Sequence, residues 1–166
     1  MNTEILNRDY PAQFWADFTE MKAWLSKDDS LGSLGKAVGM SLELISQEYY
    51  LGPKSSRLDF VCKNRDTSQI VIIKNQYGAL CDADLGVVIR GAAGLNASAV
   101  IWLAMDVGED YVETVHWLNE HNASGLGFYA VQANIVNLGS TYFAPHMQVL
   151  AKPNRWKRSA LHLLPI

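Results

Sequence analysis

The sequence predicts an α/β domain: a mixed sheet flanked by helices. Three observations carry this. Residues 57–63 (RLDFVCK) alternate in polarity, and residues 69–75 (QIVIIKN) are strongly β-branched, with only a short polar turn between them. Strands joined that closely pair antiparallel. Residues 98–104 (SAVIWLA) form a continuous apolar run, as in a strand buried on both faces. The helical spacing of residues 82–95 (DADLGVVIRGAAGL) then supplies a crossover, so 98–104 should run parallel to 69–75.

The other elements follow in order. Residues 11–25 (PAQFWADFTEMKAWL) open with Pro11 and space Phe14, Trp15, Phe18, Met21, Trp24 and Leu25 as one amphipathic helix. Its aromatic stripe is either core or a dimer contact, and it is the reason to expect a homodimer. Lys27-Asp28-Asp29-Ser30 should end that helix, and a second should cover 31–40 with Gly39 near its end. Residues 41–51 read as a strand closed by a Gly52-Pro53 turn. Residues 109–122 read as a helix whose early acids suit the positive end of its dipole. Strands are expected at 127–137 and 147–152, after the core. The domain division is residues 1–30 as an N-terminal helix on the core or at a dimer interface, 31–158 as the main domain and 159–166 as a tail.

Composition narrows the class. A chain of 166 residues, 49% hydrophobic and 19% charged, suits one globular domain and excludes disorder. No apolar run is long enough to span a bilayer, and the N-terminus carries no apolar signal core. A cytoplasmic protein with no membrane role is expected, with Cys62 and Cys81 as free thiols. The net charge of −3 hides an asymmetry: −7 through Glu120 and +4 after it, from Lys152, Arg155, Lys157 and Arg158. These four, with Trp156 among them, are the candidate phosphate contacts. The competing reading is a solvated basic tail. His116 and His121, five apart on one helix, do not share a face and make poor co-ligands.

Chemistry concentrates on the 57–63 and 69–75 pair. Lys74 and Gln76 are two apart and project from one face, and Asp59 on the neighbouring strand can approach both. A carboxylate facing a carboxylate-x-lysine or carboxylate-x-glutamine pair is a way to hold Mg²⁺, which leaves coordination for water and a phosphate. Glu43 or Glu48, on the first strand, would assist; the competing reading for each is a solvated strand glutamate.

The span from about Leu34 to Trp156 resembles the PD-(D/E)XK restriction-endonuclease-like superfamily, and within it the bacterial group whose third strand reads V-I-E-N-Q. The pieces that carry the resemblance are GPKSSRLDFVCKN, IVIIKNQYG, DADLGVVIRGAAGLNASAVIWLA, VHWLNEHNASGLGFYAV and MQVLAKPNRW, in order. It implies a restriction-endonuclease-like core with additional C-terminal strands and a nuclease site at Asp59, Lys74 and Gln76, with Glu48 in support. The sequence departs from the pattern where the metal-binding glutamate is replaced by Lys74. A charged lysine cannot bind a metal and repels one. The D-H-x-H-L-G-Q-type segment that usually follows is here Asp82-Ala83-Asp84-Leu85-Gly86-Val87.

Three functional readings follow. The first is a nuclease-like protein with a degenerate metal site that binds DNA, RNA or a partner without cutting. The second is an active Mg²⁺-dependent nuclease in which Glu48, Asp84 or another acid replaces the missing ligand and Asp59 binds the metal. The third is a dimeric interaction module with no nucleic acid role, which the acidic body of the chain favours.

Overall fold

The computed structural model describes residues 14–52, 57–139 and 142–154. Its elements run α1 (Phe18–Leu25), α2 (Asp28–Val38), β1 (Leu42–Tyr50), β2 (Arg57–Asn64), β3 (Ile70–Ala79), α3 (Asp82–Leu95), β4 (Ala99–Asp106), α4 (Glu109–His121), β5 (Gly127–Asn137) and β6 (Phe143–Ala151). The six strands form one mixed sheet in the order β1-β2-β3-β4-β5-β6. β2 and β3 pair antiparallel, and β4 lies parallel to β3 and to β5. The predicted meander and crossover are therefore present, and β6 returns antiparallel at the far edge.

Helices cover both faces, so there are two cores. On one, α1 and α2 bury Met21, Leu25, Leu31 and Leu34 against Phe60, Val71, Ile73, Ile101 and Val131. On the other, α3 and α4 bury Val88, Ala92 and Val115 against Leu58, Ile72, Val100 and Trp102. β4 feeds both faces with alternate side chains, which explains why its sequence is apolar throughout.

The N-terminal region differs from the sequence expectation. The 11–25 segment is not one helix among its described residues: Trp15 to Asp17 break it, and α1 starts at Phe18. Asp17 has extended dihedrals and its carboxylate accepts the Glu20 N–H at 3.0 Å, while the Glu20 carboxylate accepts the Ala16 N–H at 2.8 Å. This reciprocal cap is written in the sequence as Asp17-x-x-Glu20, a start signal stronger than the aromatic periodicity that runs through it. Likewise Asp28 and Asp29 open α2 and do not close α1. Their charges favour the positive end of α2, and Gly39 ends it in the left-handed conformation.

The aromatic stripe is absorbed by the chain itself. Trp15 is buried, and Phe14 and Trp24 pack on its ring and on the same core. Part of the surface that motivated a homodimer is thus packed within one molecule, while Phe14, Phe18 and Trp24 keep partial exposure. No helix among the described residues is long and apolar enough to cross a membrane. Cys62 is free and buried; Cys81 is free and exposed.

Candidate functional site

The site is built where the β2–β3 ladder stops. Phe60 opposite Ile73 is the last backbone pair before the strands separate. Asp59 is the next residue on β2, and its buried carboxylate turns into the gap. There Oδ2 accepts the backbone N–H of Asn75 at 2.8 Å, taking the place of the missing ladder partner. The same oxygen receives the Lys74 ammonium at 3.0 Å. Antiparallel register makes this meeting obligatory, because continuing the Phe60–Ile73 pairing by one residue sets Asp59 opposite Lys74.

A second carboxylate arrives from α3. Asp84 lies in the first turn of that helix, and its Oδ1 is 3.5 Å from Lys74 Nζ. Its other oxygen accepts a hydrogen bond from the Cys81 thiol at 3.1 Å. Lys74 therefore stands between two carboxylates, with its side chain only 13% exposed. Asp82, in the same turn, accepts from the Tyr111 hydroxyl at 3.0 Å, which ties α4 to the start of α3. Gln76 follows Lys74 on the same face, level with Ala104 of β4 and Gln132 of β5. From Gln132 an amide chain continues outward: its Nε2 donates to Asn134 Oδ1, and Asn134 Nδ2 donates to Gln148 Oε1, each at 2.9 Å.

These residues do not fit a divalent cation. Mg²⁺ needs oxygen ligands in near-octahedral array, and the point between Asp59 and Asp84 is filled by an ammonium. Among the described residues no three His, Cys, Asp or Glu side chains converge as a metal site. Chemically, the cluster is a salt bridge in which one cation is shared by two anions and links β2, β3 and α3.

The other predicted site residues lie elsewhere. Glu48 does not join Asp59. It sits on edge strand β1 with a positive φ of 53°, just after the Leu44–Ser46 register shift, and its carboxylate is held by Lys22 of α1 and by Arg57 at 3.2 Å. The Lys22 hydrogen bond and charge keep that carboxyl below its ordinary pKa. Lys22 belongs to the α1 side of the sheet and Lys74 to the α3 side, so Glu48 is committed to the opposite face. Glu43 pairs with Arg65 at 3.3 Å, both well exposed. Lys152 is exposed and follows Ala151, which lies in one row with Ala130, Trp102 and Lys74. Three strand spacings, about 14 Å, separate it from the cluster. Arg155, Lys157 and Arg158 fall outside the described residues.

Sequence reasoning named Asp84 only as one of several replacement acids. The signal that could have singled it out is the pair Asp82-x-Asp84 at the start of a helix that must pack back on β3, because that start is delivered to the β3 C-terminal end. The amides Gln132, Asn134 and Gln148 carried no signal in the sequence; only the strand register aligns them. Compared with known protein families, curated proteins and solved structures, the chain matches none.

Proposed function

We propose that this chain is a nuclease-like protein of restriction-endonuclease type that binds nucleic acid without cutting it, its cation position taken by a lysine. The observation that supports this reading is the Lys74 ammonium, 3.0 Å from Asp59 and 3.5 Å from Asp84. In a metal-dependent nuclease two carboxylates repel each other until a divalent cation joins them and presents water and phosphate. Here the Lys74 side chain stands in the cation's place between the two carboxylates. It brings no open coordination position and no metal-bound water, so the cluster holds the fold without activating a nucleophile.

A second reading, an active nuclease with a migrated ligand, draws on one observation: Asp84 provides a second acid within reach of the same point. One experiment separates the two. Mg²⁺ and Mn²⁺ are titrated calorimetrically into the parent and into Lys74→Glu, beside cleavage assays on single- and double-stranded DNA and RNA. The degenerate reading expects no heat and no metal-dependent cleavage from the parent, and measurable Mn²⁺ binding by Lys74→Glu. Metal-dependent cleavage by the parent that disappears in Asp59→Ala would establish the active nuclease instead.

A further inference from the structure

A second surface, about three strands from the cluster, has features the closed site lacks. A cleft of about 960 Å³ opens between the C-terminal ends of α2 and α4 and the segment after β6. Its lining includes Lys36, His116, His121, Tyr129 and Lys152, with Glu120 as the carboxylate among them. Asn119, also in the lining, is held on both sides of its amide: it donates to Phe128 O at 2.8 Å and accepts from Phe128 N at 2.9 Å, tying α4 to the start of β5.

Trp117, 58% exposed, lies outside the lining but in ring contact with His121, which is part of it. Its ring is not loose. It stacks on His121 with centroids 4.7 Å apart and planes 18° apart, and the His121 Nδ1 lies 2.9 Å from the Trp117 carbonyl oxygen. A large aromatic left exposed but held in one orientation costs little further entropy when another flat ring settles on it. The charge nearby matches such a ligand. Lys152 is the first of the four basic residues that reverse the sign of this otherwise acidic chain, and Lys36 lines the same cleft. Flat rings joined by phosphates at regular spacing define a single-stranded polynucleotide.

We infer that this cleft binds single-stranded nucleic acid, with a base stacked on Trp117 and adjacent phosphates held by Lys36 and Lys152. The inference rests on the nucleic acid part of the proposed function but not on the Lys74 cluster. Stacking suits unpaired bases, whose faces are accessible, and gives little sequence preference. The positive side chains also offset the negative ends of the two helix dipoles that border the cleft.

Fluorescence anisotropy with a labelled oligo-dT twelve-mer tests this, with a duplex of equal length as competitor. The proteins are the parent, Trp117→Ala, the double variant Lys36→Gln/Lys152→Gln, and Lys27→Gln as a charge control at the exposed start of α2. Trp117 is exposed, so its removal leaves the cores intact, which circular dichroism verifies. The expected result is single-strand preference, loss of about tenfold or more in affinity for Trp117→Ala, and a salt dependence flatter by about 0.7 log units per log unit of salt for each lysine removed. Lys27→Gln should bind as the parent does. Oligonucleotide binding indifferent to both Trp117 and the two lysines, or a preference for duplex, overturns the cleft while the proposed function stands. Absence of binding to either nucleic acid at low salt overturns both.

Discussion

Asp59 and Asn75 are joined by a bond that the sheet itself omits: where the β2–β3 ladder ends, the Asp59 carboxylate accepts the Asn75 N–H at 2.8 Å. The oxygen that closes the backbone also binds Lys74, so one buried atom serves both the strand pairing and the salt bridge. Removing Asp59 therefore has two costs. It leaves a buried ammonium with only Asp84, and it strands a backbone donor.

This coupling predicts a specific double-mutant result. Asp59→Ala should lower stability by about 3 kcal/mol. Lys74→Met should cost a similar amount, about 3 kcal/mol, because it leaves Asp59 charged and buried. Asp59→Asn with Lys74→Met keeps an acceptor for the Asn75 N–H and removes the two deeper charges, leaving only the partly exposed Asp84, so the pair should lose clearly less than the sum of the single variants. Urea denaturation of the parent, Asp59→Asn, Lys74→Met and the double variant measures the coupling, with Asp59→Ala beside them for the lost acceptor. Additive losses would show that the two side chains do not act as a unit.

The glycines of α3 should respond in opposite directions. A Cβ on Gly91 would lie 2.8 and 2.9 Å from the δ-carbons of buried Leu58 and 3.3 Å from Ile72. Gly91→Ala should therefore destabilise by about 1–3 kcal/mol through overpacking. Gly94, on the exposed side of the same helix, has open space where its Cβ would be. Gly94→Ala should stabilise by about 0.5–1 kcal/mol, since alanine loses less backbone entropy in a helix. Thermal unfolding of both variants checks the contrast.

The two thiols should be distinguishable by reactivity. Burial pushes the Cys62 thiol up to about 12, whereas Cys81 is exposed. An aromatic disulfide reagent at pH 8 should titrate one thiol in the native protein and two in guanidinium. The same burial sets a pH dependence. Between the ordinary thiol value of 9.0 and about 12 the unfolded chain releases the Cys62 proton while the folded chain keeps it. The folded state then binds more protons, so this contribution to stability is complete below pH 9 and is lost as pH rises toward 12. Cys62→Ala should flatten the alkaline limb of the stability curve.

The α1 cap gives a test of the broken N-terminal helix. Asp17→Ala removes the acceptor for the Glu20 N–H and should cost about 1 kcal/mol in urea denaturation. A continuous helix through this point would leave Asp17 in its interior, where alanine would stabilise slightly.

Much of the architecture was legible in the chain. The β-branched run of β3 and the unbroken apolar run of β4 point to a sheet covered on both faces, whereas β2, read as alternating, is buried continuously from Leu58 to Cys62 by the packing. The sequence also placed Asp59 and Lys74 on neighbouring antiparallel strands, and a short connection leaves few registers. What it did not decide were relationships between elements distant along the chain. The α3 crossover delivers Asp84 to Lys74, and Lys22 of α1 takes Glu48 away to the other face. The Trp15–Asp17 break accompanies the burial of Trp15, with Phe14 and Trp24 packed on its ring. Only the arrival of the C-terminal ends of α2 and α4, from opposite faces of the sheet, at the segment after β6 forms the cleft. Local periodicity specifies which face of an element is apolar; which charge that element meets depends on how it packs, and packing is decided by the whole chain at once.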